Sequence, residues 1–410
     1  MRRLVIVGAS LAGLRSAQAA RAAGFDGDLV IVGDELHPPY TRPPLSKELL
    51  AGEHSIDRVR LPGDVLGAEW RLGVRAGGVD RRRRRVVTVD GEEIAYDRLI
   101  VATGSRARRW SGAGAELDGI HVLRTLEDGL ALRAAFEQRP RVAIVGAGFI
   151  GCEVAQTARK QGLDVTLIDV AATPMLPLGP MLGRWCADLH RDHGVDLRLG
   201  TGVAAIRGNG RVESVELAGG ARVAADLVVV GLGALPNTQW LAGSGVELDP
   251  GLVCDATLTA LGDPDILGAG DIVTWPHPLA DGEAVRVEHW TVAAEQGQLA
   301  GRNALVSPDA RTPYDAPPYF WSDQYDAKIQ SIGLPGRAER VEVLECTPDR
   351  SRLVCGGERG GRLVGVVAIN AARRLGAYRL SLADPPIFDE LRSTVAADPA
   401  ALGAPVPAAL

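Results

Sequence analysis

The fold of this protein is decided by residues 141–151, which read RVAIVGAGFIG. The opening apolar run is typical of a parallel strand that is buried on both faces. Gly146, Gly148 and Gly151 follow it, and a helix is predicted to continue to about Gln161. A strand, a glycine-rich turn and a helix in this order predict a dinucleotide-binding βαβ unit.

Each glycine of this turn has a physical task. The first permits a tight turn, the second lets the backbone approach a pyrophosphate, and the third allows close packing of helix on strand, while the phosphates bind N–H groups at the helix start. The next strand ends in Asp169, a carboxylate that accepts ribose hydroxyls and repels a 2′-phosphate. Because residues 170–179 contain no Arg or Lys, the pattern predicts NADH in preference to NADPH.

The same unit occurs near the N-terminus, where an apolar strand at residues 4–7 is followed by a glycine turn and an Ala-rich helix. Gly8 and Gly13 keep the first and third glycines, but Ser10 stands at the second position. We expect its Cβ to crowd a pyrophosphate slightly and its hydroxyl to be able to donate to it. The second nucleotide-binding turn is therefore predicted with a local departure from the pattern.

Two acidic residues, Asp34 and Glu35, end this N-terminal unit and supply acceptors for ribose hydroxyls. Two such units about 140 residues apart indicate two nucleotide-binding domains. From about residue 313 the chain changes to short strand-like runs with a helix candidate near 371–377, which predicts a separate domain. The predicted fold class is α/β, with two Rossmann-like domains and a C-terminal α+β domain.

Composition excludes several classes of protein. The 410 residues are 46% hydrophobic and 23% charged, as in an ordinary globular protein. The net charge of −6 gives no basic excess for nucleic acid, and no apolar run approaches the roughly 20 residues of a membrane span. The five cysteines form no CxxC pair, which predicts buried thiols in a cytoplasmic protein without a metal site.

Six stretches of the chain resemble the FAD-dependent NADH:ferredoxin reductases that serve bacterial oxygenases, the family of putidaredoxin reductase and the biphenyl dioxygenase reductase. The resemblance covers essentially the whole chain, and RPPLSK and FWSDQ are its more specific parts. The six stretches are PYTRPPLSK (39–47), YDRLIVATG (96–104), GLGALPN (231–237), GAGD (268–271), EHW (288–290) and YFWSDQ (319–324).

The resemblance implies a division into three domains. An FAD-binding domain would cover residues 1–110 and 235–312, with an NADH-binding domain, 111–234, inserted in it. A C-terminal reductase domain, 313–410, would cover the flavin edge.

The resemblance also implies the residues that bind FAD and NADH, in addition to those of the two turns. Asp271 would bind the ribityl chain, and His289 and Trp290 would lie beside the flavin pyrimidine. Trp290 and Trp321 are candidate neighbours of the flavin, with an ordinary place in the core as the alternative. The cofactor-binding positions predicted in all are Gly8, Ser10, Ala12, Gly13, Asp34, Glu35, Arg42, Lys47, Ala76, Thr103, Gly104, Arg124, Gly146, Gly148, Ile150, Gly151, Glu153, Asp169, Gly233, Gly270, Asp271, His289, Trp290 and Trp321.

Lys47 and Glu153 are the predicted catalytic pair. The resemblance places Lys47 near flavin N5 and in contact with Glu153, which we expect on the first turn of its helix. A lysine there would stabilise the reduced flavin, since a low dielectric strengthens charge effects. The alternative is a surface lysine and a glutamate that only complements the helix dipole.

Cysteine chemistry is not expected. Residues 37–47, which lie beside the flavin in this family, contain no cysteine, and disulfide reductases and persulfide-type oxidases need one there. Cys152 is near a helix N-terminus, which lowers the pKa of a thiol, but a small packing residue is the favoured interpretation. The basic run 81–85 is predicted to be a solvated hairpin, with steering of an acidic ferredoxin as the alternative.

The predicted function is transfer of electrons from NADH, through hydride transfer to FAD, one at a time to a [2Fe–2S] ferredoxin. The ferredoxin would bind transiently and serve a haem-thiolate monooxygenase or a ring-hydroxylating dioxygenase, and the reductase would be a monomer or weak dimer. Two alternatives stay open, a rubredoxin reductase and a redox-responsive flavoprotein similar to apoptosis-inducing factor.

Overall fold

The computed structural model describes residues 1–63, 67–347, 349 and 351–397. The chain divides into two compact units. Unit 1 comprises Met1–Thr41, Val59–Arg106 and Leu235–Phe320. Unit 2 comprises Arg42–Arg58, Ala107–Ala234 and Trp321–Leu410.

The helices of the described ranges are α1 Leu11–Ala22, α2 Ile56–Val59, α3 Leu126–Glu137, α4 Phe149–Lys160, α5 Pro180–Asp192, α6 Trp290–Asn303, α7 Ala372–Ser381 and α8 Phe388–Ala397. The first nine strands are β1 Arg3–Val7, β2 Asp28–Gly33, β3 Glu69–Leu72, β4 Ala76–Asp80, β5 Arg85–Thr88, β6 Glu93–Ala95, β7 Arg98–Val101, β8 Ser105–Ala107 and β9 Ile120–His121. None of these helices combines the length and the apolar character that crossing a bilayer requires.

The remaining strands follow in chain order. The next eight are β10 Val142–Val145, β11 Val165–Asp169, β12 Asp196–Leu199, β13 Val203–Arg207, β14 Ser214–Leu217, β15 Arg222–Ala224, β16 Leu227–Val230 and β17 Ala234–Pro236. The last ten are β18 Leu248–Asp249, β19 Gly251–Val253, β20 Ile266–Gly268, β21 Val273–Pro276, β22 Ala284–Val285, β23 Tyr319–Gln324, β24 Ala327–Gly333, β25 Arg340–Cys346, β26 Leu353–Arg359 and β27 Arg362–Ile369.

Unit 1 is built on a parallel sheet in the order β20-β7-β1-β2-β3. Its central strand β1 is almost entirely apolar because both faces are covered, and Leu4, Val5 and Ile6 are fully buried. Burying one such side chain contributes about 1.5–3 kcal/mol. The predicted N-terminal βαβ unit is confirmed as β1, α1 and β2.

Unit 2 repeats this arrangement in a parallel sheet with the order β12-β11-β10-β16-β9. The second βαβ unit is confirmed as β10, α4 and β11, and β16 lies beside β10 in register. Buried residues of these strands, including Val145, Ile168 and Val228, form one hydrophobic cluster. Both predicted glycine turns therefore stand at the carboxyl ends of central strands.

The chain from Tyr319 to Ile369 forms a five-stranded sheet in the order β23-β24-β27-β26-β25. Helix α7 packs on β24 and β27, and α8 packs on β25. This confirms a C-terminal sheet domain with helices, although the predicted range 313–410 extends past the described residues. The three-domain boundaries stay a prediction, because the compact units are two.

Candidate functional site

Two close backbone approaches shape the first glycine turn, one to the segment after β7 and one between α1 and the residue that follows β1. A Cβ on Gly8, which has φ +124°, would lie 2.0 Å from the carbonyl oxygen of Ala102, and one on Gly13 would lie 1.8 Å from the carbonyl oxygen of Gly8. Ser10 is the N-cap residue in an extended conformation, and Ala12 is buried in the first helical turn. The two glycines are thus required by the backbone itself.

The two acidic residues after β2 have different surroundings. Asp34 is exposed, whereas Glu35 is half-buried and accepts a hydrogen bond from the hydroxyl of Tyr40. Asp34 therefore keeps its carboxylate available at the carboxyl end of the sheet, where dinucleotides bind in such folds. Glu35 is already engaged within unit 1.

The ATG stretch, residues 102–104, directly follows β7 and is fixed by one asparagine. The hydroxyl of Thr103 donates to the carbonyl oxygen of Asn237 at 3.1 Å, and the side-chain amide of Asn237 donates to the carbonyl oxygen of Thr103 at 2.9 Å. Gly104 follows with φ +61°. Ala76, another predicted contact, begins β4 and pairs with Thr88.

The GAGD stretch follows β20. The N–H of Gly270 donates to Oε1 of Gln296 at 2.9 Å, and Ser105 donates to the carboxylate of Asp271 at 3.0 Å. The Nε2 atom of Gln296 is buried and has no hydrogen-bond partner among the described residues. Since burying an amide donor without a partner is costly, this atom is suited to a bound polar group.

Helix α6 begins at the EHW stretch. His289 is its N-cap residue, and Nδ1 of its ring is buried without a partner in the described ranges. Burial lowers the pKa of His289 to about 4, so the ring is neutral near pH 7. The indole N–H of Trp290 donates to the hydroxyl of Thr41 at 3.1 Å. The orphaned atoms of His289 and Gln296 in unit 1 fit a large polar cofactor such as FAD.

The second glycine turn reproduces the first in unit 2. A Cβ on Gly146, at φ +109°, would lie 2.2 Å from the carbonyl oxygen of Gly231, and one on Gly151 would lie 1.9 Å from that of Gly146. A Cβ on Gly148 would meet no atom within 4 Å. The backbone there faces open space, which fits a pyrophosphate at the start of α4. Ile150, in the same turn, is exposed.

Asp169 ends β11 as predicted, but its carboxylate already has backbone partners. Oδ2 accepts the N–H of Ala147 at 2.6 Å, and Oδ1 accepts the N–H of Ala171 at 2.8 Å. Each oxygen keeps a second lone pair for a ribose hydroxyl. Asp169 therefore also shapes the glycine turn. Gly233, at φ +80°, is exposed after β16.

Lys47 and Glu153 form a buried ion pair within unit 2. The ammonium nitrogen of Lys47 lies 2.7 Å from Oε2 of Glu153, and the two side chains are only 10% and 5% exposed. The predicted contact is therefore confirmed, and the alternative of a surface lysine is wrong. Charges removed from water persist only when they are paired and hydrogen-bonded.

The predicted position of Glu153 on its helix needs a correction. Helix α4 begins at Phe149, inside the glycine turn, with Gly148 as its N-cap. Glu153 is consequently on the second turn and not on the first. The helix dipole acts chiefly within the first turn, so the ion pair, and not the dipole, balances the charge of Glu153.

Two further donors to Glu153 come from serines to which the sequence analysis gave no role. The hydroxyl of Ser46 donates to Oε2, and that of Ser322 donates to Oε1 at 2.7 Å. Thr157 in turn donates to the carbonyl oxygen of Ser46 at 2.8 Å. Both serines stand inside the stretches that carry the family resemblance, which was the available signal.

Three further predicted residues of unit 2 have the following surroundings. Arg42 donates to the carbonyl oxygen of Arg124 at 2.5 Å, so these two predicted cofactor residues are brought together. The N–H of Arg124 donates to the carboxylate of Asp128 at the start of α3. Trp321 is half-buried on β23, directly before Ser322.

The five cysteines occupy interior positions. All five lie in the described ranges, and each is buried and unpaired. Cys152 is fully buried, as the packing interpretation predicts, and burial raises the pKa of its thiol well above the usual value. Burial likewise raises the pKa of Cys186 to about 12.

The basic run forms the turn between β4 and β5 in unit 1, and most of its charge is paired. Arg81 bonds Asp263 at 2.9 Å, Arg84 bonds Asp265, and Arg83 bonds Glu93. Arginines engaged in this way contribute less to steering a distant acidic protein. The predicted hairpin is confirmed, and these pairs fix it to β6 and to the segment just before β20.

Comparison with known families assigns both parts of the chain. Residues 2–297 match the family described as pyridine nucleotide-disulphide oxidoreductase. Residues 319–401 match a family described as reductase C-terminal. Together the two matches span nearly the whole chain.

Individual relatives are similar along nearly their full length. The anthranilate 1,2-dioxygenase system ferredoxin–NAD(+) reductase component of Burkholderia cepacia is 38% identical, over 92% of this chain and 93% of the relative. The corresponding component of the biphenyl dioxygenase system of Paraburkholderia xenovorans (strain LB400) is 34% identical, over 97% and 99%. A crystal structure of the covalent putidaredoxin reductase–putidaredoxin complex matches with a TM-score of 0.89 and 30% identity, over 97% of this chain and 98% of that one.

Proposed function

Because the chain belongs to the pyridine nucleotide-disulphide oxidoreductase family, we propose an electron path that uses both glycine turns and the Lys47–Glu153 pair. The protein is a flavoprotein ferredoxin reductase that uses FAD and NAD(H), like its relatives in oxygenase systems. We propose that it passes electrons one at a time to a [2Fe–2S] ferredoxin, which serves a haem-thiolate monooxygenase or a ring-hydroxylating dioxygenase.

FAD is assigned to the first turn, in unit 1. The exposed carboxylate of Asp34, the carboxylate of Asp271 and the unpartnered atoms of Gln296 and His289 support this assignment. These groups are of the kinds that a ribose, a ribityl chain and a flavin ring bind through hydrogen bonds.

NADH is assigned to the second turn, in unit 2. Open space at Gly148 suits a pyrophosphate, and the carboxylate of Asp169 suits a ribose that carries no 2′-phosphate. The absence of Arg and Lys from residues 170–179 supports NADH over NADPH, since a 2′-phosphate needs a cationic partner.

The Lys47–Glu153 ion pair is the observation that carries the proposed chemistry. Bound FAD supplies the conversion of a two-electron reduction by NADH into single electrons. Lys47 provides positive charge toward the negative charge that this reduction creates, in surroundings where little water screens it. Glu153 fixes the ammonium group of Lys47 and is itself fixed by Ser46 and Ser322.

The electron acceptor is proposed to be a separate, transiently bound protein. The five cysteines of the chain are buried and dispersed, whereas a [2Fe–2S] cluster is held by a set of cysteine thiolates. Unpaired thiols also support a reducing compartment, the cytoplasm. We expect a monomer or a weak dimer in solution.

The proposal is tested by NADH-driven reduction of cytochrome c, with and without added iron–sulfur carriers. The candidates are [2Fe–2S] ferredoxins from oxygenase systems, with a rubredoxin as the matched one-electron control. We expect the rate to depend strongly on one of the ferredoxins and little on the rubredoxin. Equal rates with every carrier, or a flavin that stays reduced in their presence, would contradict the proposed electron path.

A further inference from the structure

A buried chain of polar side chains continues from Glu153 into the C-terminal part of unit 2. Ser322 donates to Oε1 of Glu153 at 2.7 Å, and the amide nitrogen of Gln324 lies 3.3 Å from the hydroxyl oxygen of Ser322. The amide oxygen of Gln324 lies 3.0 Å from Nε2 of His190. Ser322, Gln324 and His190 are each at most 1% exposed.

The row of hydrogen-bonded side chains that starts at Glu153 ends at Tyr325. Its hydroxyl lies 3.4 Å from Nδ1 of His190, and its ring stacks on His193 at 3.6 Å. The backbone of Tyr325 has φ +56°, a strained conformation for a residue with a side chain. Its N–H donates to Gln156 of α4 at 2.8 Å, which holds the turn after β23 against the helix that carries Glu153.

The negative charge at one end fixes the direction of every hydrogen bond. An ionised carboxylate only accepts, so Ser322 must donate to Glu153 and accept from the amide nitrogen of Gln324. The amide oxygen of Gln324 then requires a proton on Nε2 of His190, which leaves Nδ1 to accept from Tyr325. Burial lowers the pKa of His190 to about 4, which is consistent with a neutral ring that has one donor and one acceptor.

Ser322 also determines the rotation of the Glu153 carboxylate. Oε2 has two donors, Ser46 and Lys47, while Ser322 is the one donor to Oε1 among the described residues. The last torsion of a glutamate has a broad, shallow energy profile. A donor on each oxygen is therefore what confines the carboxylate plane, and with it the ammonium group of Lys47.

We propose that Ser322, Gln324 and His190 are positioning residues, which hold Glu153 in the orientation that places Lys47 for reduction of the flavin. This inference rests on the proposed function of the Lys47–Glu153 pair. A purely structural role would change the stability of the protein alone, whereas positioning also changes the reduction rate and potential of the flavin.

The test compares two buried serines in the FAD-loaded protein. Ser322→Ala removes the donor to Oε1, and Ser331→Ala is the matched control. Ser331 is equally buried, on β24, and its hydroxyl has no partner among the described residues. Flavin reduction by NADH is measured in single turnovers, the dissociation constant of NAD⁺ by titration, and the midpoint potential of the flavin by equilibration with dyes.

We expect Ser322→Ala to slow flavin reduction roughly tenfold, the effect of losing one hydrogen bond to a charged group. The flavin potential should become more negative, while the NAD⁺ dissociation constant stays nearly constant. Gln324→Leu breaks the chain one link further away and should produce the same changes at smaller size. Ser331→Ala should match the wild type in all three measurements.

Glu153→Gln, measured in parallel, separates the proposed role of the Lys47–Glu153 pair from the positioning role of the residues behind it. If Glu153→Gln slows reduction while Ser322→Ala and Gln324→Leu behave like Ser331→Ala, the positioning role is wrong and the pair keeps its proposed function. If NADH reduces the flavin of the Glu153→Gln variant at the wild-type rate, the proposed role of the pair is wrong, and the positioning role is wrong with it.

The direction of the hydrogen bonds provides a further test, which is made on the wild-type protein. Nitrogen NMR of the histidine rings in the wild-type holoprotein should find His190 neutral, with its proton on Nε2, the signal being assigned by its loss in His190→Gln. A proton on Nδ1 would require Gln324 to donate to His190, and would overturn the chain that orients Glu153.

Discussion

The two glycine turns solve the same backbone problem in two parts of the molecule. In each, the first glycine brings the turn close to a neighbouring carbonyl oxygen, with a hypothetical Cβ at 2.0 Å for Gly8 and 2.2 Å for Gly146. In each, the third glycine meets the carbonyl oxygen of the first, at 1.8 Å for Gly13 and 1.9 Å for Gly151. The shared glycines are thus requirements of the fold, whatever nucleotide is bound.

The residues that differ between the two turns are the ones that we assign to function. The middle position is Ser10 in one and Gly148 in the other, and the acid that follows is exposed at Asp34 but bonded to the turn at Asp169. The helix after the second turn also carries Glu153 in a buried ion pair. Two copies of one supersecondary unit have therefore been adapted to different partners by a few side chains.

The largest effect is expected from alanine at the first glycine of either turn. Gly8→Ala and Gly146→Ala each place a Cβ into a carbonyl oxygen at a positive φ, which destabilises the local fold by roughly 3 kcal/mol. Gly8→Ala should lose FAD, whereas Gly146→Ala should keep FAD and lose reduction by NADH. Flavin content and NADH titrations check this, and loss of FAD in both variants alike would remove the functional distinction between the turns.

The next largest effect concerns the Lys47–Glu153 ion pair, whose glutamate lies on the helix after the second glycine turn. Lys47→Met should slow flavin reduction by NADH roughly a hundredfold, the size expected when a preorganised charge is removed. FAD should stay bound, because its proposed ligands lie in unit 1, and Glu153 keeps the hydroxyl donors of Ser46 and Ser322. Stopped-flow reduction measures the rate.

The matched control is Lys160→Met, the same substitution at an exposed lysine of α4. It should leave the rate at the wild-type value. An unchanged reduction rate in Lys47→Met would rule out the role given to this lysine.

A smaller effect is expected at Gly148, where a substitution should change NADH binding without changing the stability of the fold. Gly148 has φ −74° and open space where a Cβ would lie, so Gly148→Ala should fold with unchanged stability. The methyl group should nevertheless keep the pyrophosphate away and raise the KM for NADH about tenfold. Thermal unfolding and steady-state kinetics give both quantities, and an unaltered KM would mean that the pyrophosphate does not approach this residue.

The smallest effect distinguishes the two aspartates that follow the turns, Asp34 and Asp169. Asp169→Asn should lower the ratio of kcat/KM for NADH over NADPH, by up to about tenfold, and cost about 1 kcal/mol of stability, because the amide offers one acceptor to two backbone N–H groups. Asp34→Asn should weaken FAD binding without changing this ratio. A wild-type protein that prefers NADPH would contradict the assignment of Asp169.

Local sequence predicts the parts of this structure that local physics determines. The apolar runs and the glycine turns predict β1, β10 and the end of α4 to within a residue, because a tight turn at a buried strand end admits few other residues. The contact of Lys47 with Glu153 came from the family resemblance alone, since the two residues are far apart in the chain.

The parts that sequence did not predict depend on tertiary contacts. Ser322 and Gln324 share a strand face, as residues two apart do, but nothing local indicates that this face meets Glu153 and His190. The backbone bonds of Asp169 were missed because a carboxylate at a strand end was interpreted only as a nucleotide ligand. The start of α4 was placed one turn too late, since the helix begins within the glycine turn.

The most direct test is an anaerobic titration of the purified protein with NADH, followed by the absorption of the flavin. The account predicts that the protein binds FAD, that NADH bleaches its colour completely at about one equivalent, and that NADPH does so far less readily. A colourless protein that does not take up FAD, or a yellow one that NADH leaves unchanged, would contradict it.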